Sequence, residues 1–485
     1  MYRSMASLMP VALGLAALAF PLQGQQQAGA AAATGQLELT SASEAAKREF
    51  RQLVVELGGL RPVRARQHAM NALAADPGFG LARLYLARPQ LTPELSAGER
   101  ASEMSKALAA MTNVSAPELL LGLYWREAVA GRAQVALPLL RMLAQLVPQD
   151  ADVAFQLFTA ERAGRSLTDI VRTEKELLER FPNFALGYNA YAYDLHFSGD
   201  HASDIVAVQQ YARLAPLQPN ALDSRADLEL LHGNTNEAVV HVQEAIKLDS
   251  TWTNGYATMG AIKLAGGKAD EARTFFNRAV AVATTAVARV DSRQWIAASY
   301  IYNRDAKSAM RELAAISDEV VAAKLTPTAT ALPHQRMALV EAFFGDKQNV
   351  AAHLAKAAAV VGANPLPQAA YAVLAYSAAG DIKAAQENAD VLAKASGMNQ
   401  PLLHALNALV AVASKNYAAA EKELTATGPN DLLAKAVRAE VLKSQGKKAE
   451  ASALRDEVIK AGVKTDNNGT VDVFKLVAKL RVEKL

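Results

Sequence analysis

TNGYATMGAIKLAGGKADEARTFFNRAVAVAT, residues 253–284, decides the fold. Its first half places Tyr256, Met259, Gly260 and Leu264 on or near one stripe. Its second half places Ala272, Phe275, Phe276, Ala279 and Val280 on another. Spacings of three and four residues mark two amphipathic helices. Gly266, Gly267 and Lys268 leave room only for a short turn, so the two helices must fold back antiparallel. Gly260 and Ala272 are small enough to let the pair approach at the short end of the ~8–10 Å interaxial range.

The same punctuation recurs on both sides of this stretch. Polar turns stand at Gly131-Arg132, Gly164-Arg165, Gly199-Asp200, Gly233-Asn234, Gly345-Asp346, Gly380-Asp381 and Gly446-Lys447. Asn303-Arg304 and Lys415-Asn416 occupy the same place without glycine. The steps from Gly199 to Gly233 and from Gly233 to Gly267 are both 34 residues. Five residues beyond a turn stands an alanine: Ala136, Ala238, Ala272, Ala309, Ala385, Ala420 and Ala451. Pro77, Pro148, Pro182 and Pro216 mark the exits of second helices, because proline cannot continue a helix.

This pattern resembles the tetratricopeptide repeat family. Tyr256, Met259, Gly260, Gly267, Ala272, Phe276 and Ala279 match seven signature positions in order, and Thr284 replaces the closing proline. In the preceding unit Gly233, Ala238 and Ala245 match, while Arg225 stands where a large aliphatic is usual. The resemblance implies an all-α solenoid of antiparallel helix hairpins wound as a right-handed superhelix. The expected organisation is a signal peptide over 1–30 and a flexible leader over 31–43. Partly irregular repeat-like helices follow over 44–116, a core array over 117–285 and divergent repeats over 286–462. A capping helix is expected over 463–485, carried by Val473, Leu476, Val477 and Leu480.

The first helices of such an array line a continuous concave surface, where relatives hold peptides or partner proteins. Counting from the turns places Trp125, Phe155, Asn189, Tyr193, His196, Asp223, Asp227 and Gln294 toward it. An aromatic and acidic groove suits an extended peptide with basic or apolar side chains. The alternative at each aromatic is packing between helices. A lysine–asparagine clamp for a C-terminal carboxylate, which some relatives carry, is not evident.

Composition narrows the function classes. Lys and Arg total 51 against 48 for Asp and Glu, a net charge of +3, which gives no general attraction to nucleic acid or anionic lipid. The chain has no cysteine, which excludes disulfides, thiol catalysis and thiolate metal sites. Arg3, the apolar run Leu8–Phe20 and a small-residue stretch reproduce the layout of a secretory signal. Thirteen apolar residues are too few for a bilayer core, which needs ~20, so no stable span is expected after signal removal. The expected location is periplasmic or secreted.

No phosphate loop, nucleophile elbow or zinc-protease helix appears. Asp466-Asn467-Asn468-Gly469 has lysines, Lys464 and Lys475, at the first and twelfth positions of a calcium loop and reads as a turn. The densest polar run is Asp194-Leu195-His196-Phe197-Ser198-Gly199-Asp200-His201. Here the two histidines belong to different helices and are expected to point apart, so neither a metal nor a catalytic set is assigned. No cofactor is expected. The chain reads as a non-catalytic scaffold for a protein or peptide partner. The rival readings are a structural or envelope-assembly component, and a hydrolase using Asp194 or His196.

Overall fold

The computed structural model describes residues 35–162, 165–361, 366–395, 400–428, 431–460 and 472–483, and among them every regular element is helical. The signal segment, the glycine of the Gly164-Arg165 turn and the Asp466–Gly469 turn lie outside the described residues. The chain forms two compact units, Met1–Pro216 and Leu217–Leu485.

The first unit is a succession of hairpins. Helix α1 (Glu44–Gly58) pairs with α2 (Pro62–Ala75), and α3 (Gly80–Leu86) with α4 (Ala97–Ala110). Next come α5 (Ala116–Val129) with α6 (Ala133–Leu146), α7 (Ala151–Glu161) with α8 (Leu167–Arg180), and α9 (Ala185–Ser198) with α10 (His201–Leu214).

The second unit continues the plan. It pairs α11 (Pro219–Leu231) with α12 (Thr235–Leu248), α13 (Thr253–Ala265) with α14 (Ala269–Val282), and α15 (Ala286–Tyr302) with α16 (Ala306–Ala322). The series ends with α17 (Pro327–Phe344) and α18 (Asn349–Val361), α19 (Leu366–Ala379) and α20 (Ile382–Ala393), α21 (Gln400–Ala413) and α22 (Tyr417–Leu424), then α23 (Leu432–Ser444) and α24 (Lys448–Lys460). A single helix, α25 (Val473–Val482), follows. Each unit is thus an α-solenoid of tetratricopeptide-like hairpins.

All seven alanines that follow the turns are buried. Pro77, Pro148, Pro182 and Pro216 each stand two residues beyond the end of a second helix. The turns need a left-handed residue to reverse the chain. Gly131, Gly199, Gly233, Gly267, Gly380 and Gly446 all have φ between 73° and 88°. Where glycine is missing, Arg304 and Lys415 are themselves forced to φ 58° and 60°. The repeat therefore dictates the backbone even against the residue's preference.

Gly260 shows why the hairpins need small residues. A Cβ there would meet Phe276 ring carbons at 2.2–2.8 Å. That ring is fully buried and stacks on Trp295 of the next hairpin, with centroids 5.3 Å apart. Phe276 is therefore pinned from both sides.

Three features of the structure bear on the expected organisation. Residues 35–40 are tied to the first unit by hydrogen bonds. The Gln149 N–H donates to the Gly35 carbonyl, Leu37 N–H to Asp150 Oδ2 at 3.1 Å and Thr40 N–H to Glu118 Oε2 at 2.6 Å. Glu118 is fully buried, and these backbone amides give carboxylates the donors they need. Residues 117 and 286 are not boundaries of packing. One core cluster runs from Ala46 to Val153 and another from Ala257 to Val340, because each hairpin buries its face against the next.

The capping helix also does more than cover the last hairpin. It packs on α23 and α24, but Leu476 and Leu480 join the core of Trp295, Met337 and Val340. Arg304 pairs with Glu483 at 3.0 Å, and Lys479 Nζ lies 4.9 Å over the Tyr302 ring. Burial pushes Lys479 down to about 8.

Two substitutions should move stability in opposite directions. Gly260→Ala overpacks the Phe276 seam and should cost about 1–3 kcal/mol. Lys415→Gly relieves a left-handed residue and should add about 1 kcal/mol. Urea unfolding of each variant checks both, and equal midpoints would refute the seam and the strain together.

Candidate functional site

The first unit gathers polar and aromatic side chains on its odd-numbered helices. Tyr85 of α3 is buried with Phe50 and Phe79 in the core, and burial pushes its hydroxyl up to about 12. The Trp125 indole N–H donates to the Tyr85 hydroxyl at 3.2 Å. The Arg88 guanidinium lies 3.7 Å over the Trp125 ring and 5.0 Å over Tyr85. Such stacking offsets part of the cost of taking the cation out of water. Burial pulls Arg88 below its ordinary value, and among the described residues its Nε–H finds no acceptor.

On α7, Phe155 packs against Phe158 and Phe184, with centroids 6.1 and 5.4 Å apart. Phe184 also lines a cavity of about 510 Å³ with Asp150, Asp152 and Arg180. Asp152 keeps contact with solvent yet is hemmed in by protein, so desolvation, then the Asp150 charge, pushes its carboxyl up to about 6. Asp291, in the first turn but one of α15, shows the same behaviour in the second unit and is also pushed up to about 6.

The expected groove residues divide. Trp125 and Phe155 sit with these partners and stay partly open. Asn189 is also half-buried, and its Oδ1 has no donor among the described residues. Tyr193 is buried at 8% exposure. His196 turns toward Asp204 of α10, its Nδ1 lying 3.1 Å from Oδ2. In the second unit Asp223 and Asp227 are buried rather than open. Gln294 is buried too, and its amide oxygen accepts from the Arg336 guanidinium at 2.7 Å. Gln294 is therefore part of the interior between α15 and α17, because a buried arginine needs an acceptor.

The acids of the hydrolase reading are spent elsewhere. Asp194 accepts two hydrogen bonds from Arg162, one at 2.5 Å. Glu174 lies beside it, and burial, then the Asp194 charge, pushes Glu174 well above the usual carboxylate range. His196 belongs to a different network, with Asp204. Asp194 and His196 do not form an acid–base pair.

Sequence reasoning missed Tyr85, Arg88, Asp152 and Asp204. The first two stand in the irregular segment around α3, where Arg100 replaces a regular turn by donating to the carbonyls of Ala87, Thr92 and Leu95. Asp204 was legible, since His201 and Asp204 share one helix face at a spacing of three.

No family and no curated protein matches this chain. Among the solved structures that resemble it are two of helical-repeat type. One is a tetratricopeptide repeat protein from Parabacteroides merdae, at 11% identity over 67% of this chain and 98% of that one, with a TM-score of 0.34. The other is the APC/C hetero-tetramer Cut9-Hcn1, at 14% identity over 84% and 75%, with a TM-score of 0.39. At these scores the likeness is one of helical-repeat type and goes no further.

The raised Asp152 value has a signed consequence. Because its folded value lies above the unfolded 3.8, the protonated form favours folding, and that contribution fades as pH rises from about 3.8 through about 6. Asp152→Asn should therefore raise the melting temperature at pH 7.5 and leave it unchanged near pH 3.5. Equal shifts at both values would remove the desolvated carboxylate from the account.

Proposed function

We propose that this protein is a non-catalytic scaffold that holds extended polypeptide segments along the odd-numbered helices of its first unit, outside the cytoplasm. The observation that carries this reading is the open cavity of about 510 Å³ lined by Asp150, Asp152, Arg180 and Phe184. A basic side chain entering there gains a charged partner in a site already stripped of part of its water, where attraction is stronger than at an open surface. Phe155 and Trp125 offer apolar faces beside it, with the Arg88 guanidinium stacked over the Trp125 ring. In the second unit Asp223, Asp227 and Gln294 are enclosed, which directs the reading to the first.

Export rests on the N-terminal sequence, with its single Arg3, short apolar run and small-residue stretch. Mass measurement of the chain recovered from its own host checks this. A mature protein beginning between residues 20 and 31 is expected, and an intact N-terminus in the cytoplasmic fraction would refute it.

A displayed peptide library selected on the purified protein tests binding. Selected peptides should carry Lys or Arg among apolar residues. Trp125→Ala and Asp152→Lys should each weaken them by about tenfold or more, on the scale of a lost anchor. Arg172→Ala, on the exposed face of α8, should change nothing. Peptides that bind all three variants equally would sink the groove.

A further inference from the structure

We propose that His196, His201 and Asp204 form a binding site for a zinc-class divalent cation. The turn between α9 and α10 creates the convergence. Gly199 takes φ 86° and reverses the chain, bringing the last turn of α9 against the first turn of α10. His196 then faces α10, while His201 and Asp204 share one side of it. The expectation that the two imidazoles point apart does not hold, since their rings lie 5.0 Å apart.

Convergence of two imidazoles on one carboxylate oxygen separates this cluster from the other histidine–carboxylate pairs. His68 with Glu49, His241 with Glu229, and His404 with Glu423 all meet at 2.7 Å, the length of a direct charge-assisted hydrogen bond. At Asp204 both imidazoles stand further off, His196 Nδ1 at 3.1 Å and His201 Nδ1 at 3.5 Å from the same Oδ2. Zinc–nitrogen and zinc–oxygen bonds of ~2.0–2.1 Å in a tetrahedron place neighbouring ligand atoms ~3.3 Å apart. The cluster has that spacing, and its ligand atoms all lie within 4.8 Å of one another.

Chemistry and access agree. Two imidazoles and a carboxylate are borderline donors that suit zinc and its congeners rather than calcium or magnesium. His201 has 46% of its side chain exposed, so an ion can enter from its side. Bound there, the ion ties α9 to α10 across their turn and stabilises the folded chain by mass action.

The experiment uses the full mature chain without a histidine tag, stripped with chelator. Titration with Co²⁺ should give the visible bands of a four-coordinate ion at one equivalent per chain, displaced by Zn²⁺. Zn²⁺ should also raise the melting temperature. His196→Ala, His201→Ala and Asp204→Asn should each weaken binding by at least about tenfold, the lower end of what outer-shell changes alone cause. His201 is half-exposed, so its removal leaves the core filled and keeps the test valid if Asp204→Asn fails to fold. His68→Ala should bind as wild type. The proposal is overturned by an absent Co²⁺ spectrum with no Zn²⁺-dependent stabilisation. Undiminished binding in His201→Ala overturns it equally.

Discussion

Close approach between the two helices of each hairpin governs everything else in this molecule. The approach depends on small residues at fixed places: the buried alanines five residues after seven of the turns, and Gly260 beneath Phe276. Where a side chain shrinks to hydrogen or methyl, the neighbouring helix can deliver an aromatic ring through the gap. Phe276 uses that gap to reach Trp295, which belongs to the following hairpin. One seam thus fixes two relationships, the pairing within a hairpin and the stacking onto the next. A larger residue at the seam would loosen both, which is why interiors packed like crystals tolerate so little change there.

Stacking by such seams leaves the odd-numbered helices with a second face. In the first unit that face carries Arg88 on Trp125, the Phe155 cluster and the desolvated Asp152. These groups are neither fully buried nor fully hydrated, and the proposed binding would exploit that intermediate state. The second unit uses its corresponding face differently. Arg336 takes its acceptor from Gln294, and the terminal helix closes onto the Trp295 core. The two units therefore differ at Gln294 and Arg336, which meet in the interior of the second, although Asp291 there repeats the behaviour of Asp152.

The parts of the fold that were legible in the sequence are those set by neighbours within about one repeat. The alanines, the prolines beyond second helices and the turn glycines all act over short separations. Even Arg304 and Lys415 could be placed in turns, because position within the repeat overrode residue type. What escaped depends on contacts across long stretches of chain. Thr40 finds Glu118, Arg304 finds Glu483, and Gln294 finds Arg336, and no local pattern announces these meetings. The candidate groove suffered most for the same reason. Counting from a turn gives the direction of a side chain, but whether it stays open depends on which distant residue covers it. Asp204 is the exception. Its spacing from His201 was readable, yet the polar run seemed to end at the second histidine.

Regular seams raise a further physical problem. If every hairpin presented only alanines and aliphatic stripes, one could stack on the wrong neighbour at little cost. The polar bridges between successive odd-numbered helices differ from one interface to the next. Arg162 joins Asp194 at α7 and α9, Gln294 joins Arg336 at α15 and α17, and Gln335 joins Gln368 at α17 and α19. Arg481 of α25 holds Glu440 of α23 through both its Nε–H and Nη2–H, at 2.6 and 2.7 Å. A slipped stacking would strand groups such as Asp194, at 2% exposure, without their partners. Breaking a buried pair in that way costs about 3–5 kcal/mol, although the intact pair adds little over an apolar contact. The apolar seams therefore supply the attraction, and the polar bridges penalise wrong partners, so that an array built from nearly interchangeable pieces stacks in one order.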